Sequence, residues 1–427
     1  MASYPETLDY IFNLRGGEID LRLHRVTQAL ALFGHPERFY RAFHIAGTNG
    51  KGSTAAMLHR ILSEEGYRTA LYTSPHLVSF TERIRVGDEE ISREEVVELT
   101  DFIRRGSEAK SIGLTFFEFV TVMALVYFSR CEVDVAVVEV GLGGRFDATN
   151  VVIPQVSAIT SIAKDHEAYL GSDLLSIARE KGGIIKAGVP VVCGSLAPEV
   201  RELLERTAQA CGSTGFFLGR DFSFALGEGD FFDYRGLEWE LKGLSLPLRG
   251  KHQRSNASVA LSALEVAQRE FPVREKAVRE GLRKVMWPGR FEIVHHRPTV
   301  ILDGAHNPEG VAALVEEIRS FWKGRKIKLL FGAMADKDWP FMVRALSSVA
   351  EEVVLTRVSM ERSADPAQLA AALKGEVPWT IEENPIQAVR FLLSRARPED
   401  LIVVAGSLYL LGEVRPILVE MASGKLH

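Results

Sequence analysis

The chain has 427 residues, of which 46% are hydrophobic and 25% charged, with a net charge of −5. That length exceeds one small core and points to about two to three domains of an ordinary globular protein. The negative balance gives no global attraction to nucleic acid or anionic membranes, so an anionic ligand needs a local cluster of Lys, Arg, metal or backbone N–H groups.

The opening MASYPETLDYIFNL is acidic early and lacks an apolar run ending at a small-residue cleavage site, which argues against a signal peptide. No stretch reaches the roughly 18 uninterrupted apolar residues of a membrane-spanning helix. Cys131, Cys193 and Cys211 are odd in number and widely spaced, a pattern of free thiols in a reducing compartment. The expected location is the cytoplasm.

Short β-branched runs then alternate with longer helical stretches. RAFHIA (41–46), TALYT (69–73), DVAVVEV (134–140), QVSAITSI (155–162) and VPVVCG (189–194) read as buried strands. Residues 53–66, 115–130 and 172–185 between them have helical spacing. Near-continuous apolar strands separated by helices predict a mostly parallel sheet with helices on both faces. From about 215 to 250 the texture becomes short and alternating, which predicts a small antiparallel appendage. A helix follows from 251, and Trp287-Pro288-Gly289 stops the next one. The predicted boundary falls there, giving a larger nucleotide domain over 1–287 and a smaller Rossmann-like α/β domain over 288–427. Strands over 299–305, 326–333, 350–358 and 401–407 belong to the second, and a cleft is expected between the two.

The strand RAFHIA runs directly into Gly47-Thr48-Asn49-Gly50-Lys51-Gly52-Ser53-Thr54, and a helix follows. Glycines let backbone N–H groups approach phosphate oxygens, and the helix N-terminus adds favourable partial charge. Lys51, read as an exposed loop lysine, supplies a cation for the β- and γ-phosphates, and Ser53 or Thr54 can face a metal. The loop departs from GxxxxGK[ST], because Ile45 stands at the first Gly and Gly52 separates Lys51 from Ser53. Three more segments sit just past strand ends, where open α/β sheets place ligands. They are Tyr72-Thr73-Ser74-Pro75-His76-Leu77, Val138 through Asn150, and Lys164-Asp165-His166.

GTNGKGS resembles the phosphate loop of folylpolyglutamate synthases and dihydrofolate synthases in the Mur ligase superfamily, and the extra Gly52 is similar to that folate branch. The other segments match the same family in order, over nearly the whole chain. The resemblance implies metal ligands at Ser74, Glu139 and His166, holding Mg²⁺; one imidazole beside oxygen ligands also suits Mn²⁺. It implies that Lys181, 15 residues after His166 in EKGGIIK, is carbamylated and bridges to the metal. Gly182 replaces the family's Ala, a departure expected not to matter to Lys181. Asn256 in HQRSNA, Arg290 in PGR and Asp303 in DGAHNP are implied nucleotide contacts, with His306 nearby as a candidate base. Arg290 and Asp303, 13 residues apart, are expected on neighbouring strands.

For the substrate, Leu114-Thr115-Phe116-Phe117-Glu118 resembles a segment near the pterin site. Phe117 suits either ring stacking or core packing. Arg145, Asp147 and Ala148 match the form found in bacterial members that act on dihydropteroate as well as on folates. Pro75 and His76 belong to the same substrate loops. The resemblance therefore implies a bifunctional ATP-dependent ligase, monomeric, taking dihydropteroate or a reduced folate together with L-glutamate. A monofunctional folylpolyglutamate synthase is the main alternative. A Mur-type amino-acid ligase fits less well, given Gly52 and no separate N-terminal UDP-binding domain, and a non-catalytic ATP switch would not need Lys181, Arg290 and Asp303 together.

Overall fold

The computed structural model describes residues 2–14, 23–322, 325 and 327–422. By contacts the chain divides into two compact units, one of Met1–Pro247 with Lys251–Met286, the other of Leu248–Gly250 with Trp287–His427. Among the described residues no helix is long and apolar enough to cross a membrane.

The first unit opens with α1 (Tyr4–Phe12), whose Ser3 and Glu6 close a capping box, and α2 (His24–Leu32). Strand β1 (Arg41–Ala46) leads into α3 (Lys51–Glu65), which a glycine ends at Gly66 with φ +109°. Then come β2 (Thr69–Tyr72), β3 (Ile84–Val86), β4 (Glu89–Glu90), α4 (Arg93–Ala109) and α5 (Phe116–Arg130). Strands β5 (Val135–Glu139) and β6 (Val156–Ser161) follow, then α6 (Glu167–Leu170), α7 (Leu174–Gly182), β7 (Val191–Ser195), α8 (Pro198–Ala210) and β8 (Gly215–Phe217).

Among the described residues these strands form one eight-stranded sheet in the order β4-β3-β2-β5-β1-β6-β7-β8. From β2 to β8 every pairing is parallel, while β3 and β4 are antiparallel additions at one edge. The central strands are buried on both faces, which is why they read as unbroken apolar runs. One core lies under α1, α2, α4 and α5, and another under α7 and α8.

The predicted appendage is present as β9 (Ser223–Leu226), β10 (Phe231–Arg235) and β11 (Glu240–Ser245), antiparallel in the order β11-β10-β9. Helices α9 (Lys251–Val266) and α10 (Glu275–Lys284) close the unit. Glu265 of α9 accepts the Tyr234 hydroxyl at 2.9 Å and the Trp239 N–H at 2.7 Å, which ties the appendage to the helix that carries Asn256.

The second unit contains β12 (Glu292–His296), β13 (Thr299–Asp303), α11 (Pro308–Phe321), β14 (Ile327–Phe331), α12 (Trp339–Ser347) and β15 (Ala350–Leu355). It ends with α13 (Pro366–Ala372), β16 (Trp379–Ile381), α14 (Pro385–Arg395), β17 (Leu401–Ala405) and α15 (Leu408–Ala422). Its sheet runs β12-β13-β17-β14-β15-β16 and is parallel except for β12 against β13. Lys326, the first residue of one predicted strand, lies outside the described residues.

Candidate active site

Strand order gathers the motifs. Because β2, β5, β1 and β6 are parallel neighbours, their C-terminal ends share one edge of the sheet. Ser74 follows β2, Glu139 ends β5, the glycine loop follows β1, and Asp165 and His166 follow β6. The chain turns to opposite sides of β1 there, which is the crevice where doubly wound sheets bind ligands.

The loop is braced from β6. Thr48 N–H donates to Ser161 O at 2.8 Å, Asn49 N–H to Ser161 Oγ at 3.1 Å, and Thr160 Oγ1 to Asn49 O at 2.6 Å. A side chain on Gly47 would run into Thr160 Oγ1, so only glycine lets the strand end lie this close. Sequence reasoning missed Thr160 and Ser161, although two hydroxyls ending an apolar strand beside the loop were visible.

Gly50 caps α3 at φ +86°, with no side-chain hydrogen bond to the first turn. A Cβ there would strike Asn256 Oδ1, whose amide is held by Asn256 Nδ2 donating to Gln253 Oε1 at 3.1 Å. Gly50→Ala should therefore destabilise the chain by about 1–3 kcal/mol from backbone strain and this collision. Chemical denaturation checks it, and an unchanged midpoint would mean the loop is not held against α9. Gly52 is half-buried; Ser53 and Thr54 are buried in the first turn.

Lys51 is not the exposed loop residue that its sequence context suggested. It is the first residue of α3, half-buried, and its Nζ donates to Gly47 O at 3.1 Å and Thr48 O at 3.2 Å. Lys181 reaches the same Gly47 oxygen at 2.9 Å from the last turn of α7. At 5% exposure it is no solvated helix lysine. Burial, then the charge of Lys51, push its pKa down to about 7, while Asp165 and Asp147 pull the other way. Two lysine side chains thus meet one carbonyl at a helix N-terminus, which already carries partial positive charge.

Glu139 is buried and its Oε2 accepts the Ser74 N–H at 3.2 Å, so the carboxylate and the Ser74 residue are adjacent. His166, exposed, has φ +51° at the start of α6, and its N–H donates to Asp165 Oδ1 at 2.8 Å. Among the described residues no three His, Cys, Asp or Glu side chains form a metal cluster. The predicted set has one carboxylate, one imidazole and one hydroxyl, and such a set fits a metal that takes its other ligands from phosphate and water.

The substrate segments lie beside these. Pro75 is exposed and His76 half-buried. Arg83 Nε donates to His76 Nδ1 at 2.8 Å, and burial followed by the Arg83 charge lowers the imidazole pKa to about 4. Glu82 accepts the N–H groups of Leu77, Val78 and Ser79 at 2.7 to 2.9 Å and so fixes that turn. Phe117, half-buried, lies against Gly141 where a Cβ would collide with its ring, 6.2 Å from the Tyr72 ring. Glu118 is different from a free substrate contact. Its oxygens accept Thr115 N–H at 2.8 Å and Arg25 Nε at 3.1 Å, which caps α5 and makes it a positioning residue.

Arg145 is exposed, with its N–H on Glu180 O at 2.8 Å and its guanidinium 3.6 Å from the Glu180 carboxylate. A Cβ on Gly144 would come within 2.9 Å of the Glu180 and Lys181 carbonyls, so this loop lies directly on the turn that bears Lys181. Asp147 and Ala148 are buried; burial raises the Asp147 pKa against hydrogen bonds from Thr149 and Leu142. Gly182 is matched to its neighbour: a Cβ would approach Leu204 Cδ2 to 2.9 Å.

In the second unit, Asp303 ends β13 and accepts Phe291 N–H and Ala305 N–H, each at 2.9 Å. Arg290 precedes β12 rather than lying in it, yet its charge lowers the Asp303 pKa against the dominant effect of burial. His306 Nδ1 is 2.8 Å from Gly304 O, and Asn307 caps α11.

Comparison with known proteins agrees with this architecture. The Mur ligase middle domain matches residues 45–264, and the Mur ligase glutamate ligase domain matches residues 289–408. The fold and phosphate loop are thus those of a Mur ligase. A Bacillus subtilis dihydrofolate synthase/folylpolyglutamate synthase is 36% identical, over 92% of this chain and 94% of its own. A structure of Escherichia coli FolC in complex with DHPP and ADP is 34% identical with a TM-score of 0.90, covering 98% of each chain. A Yersinia pestis bifunctional folylpolyglutamate synthase/dihydrofolate synthase complexed with AMPPNP and Mn ion is 34% identical, with a TM-score of 0.89 over 98% of each chain. This chain belongs to the dihydrofolate synthase/folylpolyglutamate synthase family.

Proposed function

We propose that the chain is an ATP-dependent ligase that adds L-glutamate to dihydropteroate and to reduced folates through an acyl phosphate. The observation that carries the ligase chemistry is the convergence of Lys51 and Lys181 on Gly47 O at the start of α3, whose cap residue Gly50 brings no side chain. A helix N-terminus that carries the Lys51 cation favours a polyphosphate, and the Lys181 amine lies beside the same carbonyl. Family membership over nearly the whole chain supplies the substrate class.

A carboxylate resists amine attack because its leaving group would be oxide. Transfer of the γ-phosphoryl group to it makes phosphate the leaving group. Such transfer asks mainly for positioning and charge neutralisation. Residues Gly47–Thr54 cradle the nucleotide phosphates, and Lys51 neutralises charge as it moves to the leaving ADP. Ser74, Glu139 and His166 would hold Mg²⁺ or Mn²⁺, which supplies further charge neutralisation when bound. The amine of glutamate then forms the C–N bond, the C–O bond to phosphate breaks with its electron pair, and a base takes the amine proton. His306 is assigned as that base, and Asn256, Arg290 and Asp303 as nucleotide contacts. We assign residues 1–287 as the ATP-binding domain and 288–427 as the glutamate ligase domain, in a cytoplasmic monomer.

Lys181 is assigned as a carbamate. A neutral amine adds to CO₂ and sheds one proton, turning a cation into an oxygen-bearing anion. Its depressed pKa makes the neutral amine available near pH 7.

Pro75, His76, Phe117, Arg145, Asp147 and Ala148 are assigned to the pterin-bearing substrate, with Glu118 holding Phe117 in place. Dihydropteroate ends in a benzoate carboxylate, whereas a folate offers the γ-carboxylate of a flexible glutamate, so one activating centre needs two seats for the pterin. The exposed Arg145 suits the dihydropteroate seat. Arg145→Ala should lower kcat/KM for dihydropteroate about 10- to 100-fold and change glutamate addition to tetrahydrofolate little. The test of function is ADP release that requires both glutamate and a pterin carboxylate. ADP release without the carboxylate would overturn the ligase reading. No dihydrofolate from dihydropteroate, with tetrahydrofolate still extended, would make the enzyme a monofunctional synthase.

A further inference from the structure

Strand β1 carries a histidine that the phosphate loop does not use. His44 is fully buried, with its Nε2 2.8 Å from Thr149 Oγ1. Its Nδ1 is buried without a hydrogen-bond partner among the described residues. Thr149 Oγ1 also meets Asp147 Oδ1, and Thr149 N–H donates to that oxygen at 3.0 Å. The other Asp147 oxygen accepts Leu142 N–H at 2.9 Å. Three side chains therefore link the interior of the sheet to the Arg145–Ala148 loop.

One hydroxyl proton fixes the polarity of this chain. With Asp147 ionised, Thr149 must donate to it, so Thr149 can only accept from His44. That selects the Nε2–H tautomer and leaves Nδ1 a bare acceptor. Protonation would place an unpartnered N–H at Nδ1, and burial with the nearby Lys186 charge keeps the ring neutral, its pKa about 3. Lys186 itself donates to Asn150 O at 2.7 Å, and Asn150 Nδ2 donates to Arg145 O at 2.9 Å and Gly183 O at 3.1 Å. Those bonds hold the far side of the loop; His44 is the tie from the strand. A half-satisfied imidazole costs stability in a strand interior where an apolar residue would not.

We propose that His44 is a positioning residue for ligation: its Nε2–H, through Thr149, holds Asp147 and the Arg145–Ala148 loop in the arrangement that accepts the pterin substrate. The inference rests on the assignment of that loop to dihydropteroate. His44→Leu removes the donor, whereas His44→Gln keeps an N–H near the Nε2 position. His44→Leu should raise KM for dihydropteroate about tenfold and leave KM for ATP within about twofold, with His44→Gln within about threefold of the parent. Thr149→Val should give the same signature, and the double variant should be no worse than either single one. Equal defects in the Gln and Leu variants, a rise in both KM values together, or additive single effects would each overturn the proposal. If His44→Leu does not fold, the Thr149→Val and His44→Gln pair decides it. Arg145→Ala measured in parallel separates the two levels. A normal dihydropteroate KM in that variant removes the loop assignment, whereas a raised one beside a normal His44→Leu enzyme removes His44 alone.

Discussion

Lys51→Ala is expected to lower kcat by about 10³-fold or more at saturating ATP, because it removes the cation nearest the start of α3 as charge moves onto ADP. The structure also sets what the substitution should do to stability. Lys51 Nζ makes two backbone contacts, at 3.1 and 3.2 Å, from a half-buried position. Losing them costs about 1–2 kcal/mol, which is offset in part by the helix propensity of Ala and by the removal of a positive charge from a helix N-terminus. The variant should therefore stay folded, with a denaturation midpoint near that of the parent, and be inactive. A folded Lys51→Ala enzyme with normal turnover would show that the loop does not neutralise a transferring phosphoryl group. A second consequence concerns Lys181, whose pKa Lys51 helps to depress. Without Lys51, Lys181 should titrate higher, so a carbamate there should need a higher pH or more bicarbonate.

Much of this site is legible in the sequence because its parts are local. A strand, a glycine loop and a helix follow one another over residues 41–65, and apolar continuity marks strands buried on both faces. The alternating stretch after 215 likewise announces the antiparallel β9–β11. The contacts that convert motifs into a site join residues far apart in the chain. Lys181 and Gly47 are 134 positions apart, His44 and Thr149 are 105, and Arg25 and Glu118 are 93. No periodicity or spacing rule reports such pairs. The burial of Lys181 was hidden for that reason, as was the commitment of Glu118 to a cap and an ion pair. Gly182 makes the same point: its absent methyl makes sense only beside Leu204, which lies on α8.

Lys181→Ala should lower kcat about 10²-fold or more if a carbamate there supports the metal and phosphate, since the substitution removes that anion entirely. Stability should move in the opposite direction from activity. The folded pKa of Lys181 lies near 7, below the ordinary lysine value, so the folded chain binds fewer protons than the unfolded one between about pH 7 and 10.5. The cost of burying this lysine is therefore full below pH 7 and fades as the pH rises toward 10.5. In bicarbonate-free buffer, where the parent carries the free amine, removing it removes that cost, and the inactive variant should denature no earlier than the parent at neutral pH. In the parent, carbamate formation draws on the neutral amine, so activity should fall as pH drops through about 7 and bicarbonate should partly restore it there. Lys181→Ala should not respond to bicarbonate, whereas a short carboxylic acid such as acetate, placed in the space left by the side chain, should recover part of the rate. Electron density from crystals grown with bicarbonate near neutral pH is the direct measurement. Density ending at a bare ammonium, together with a Lys181→Ala enzyme that neither loses rate nor responds to acetate, would leave Lys181 as a buried cation on the Gly47 carbonyl and nothing more.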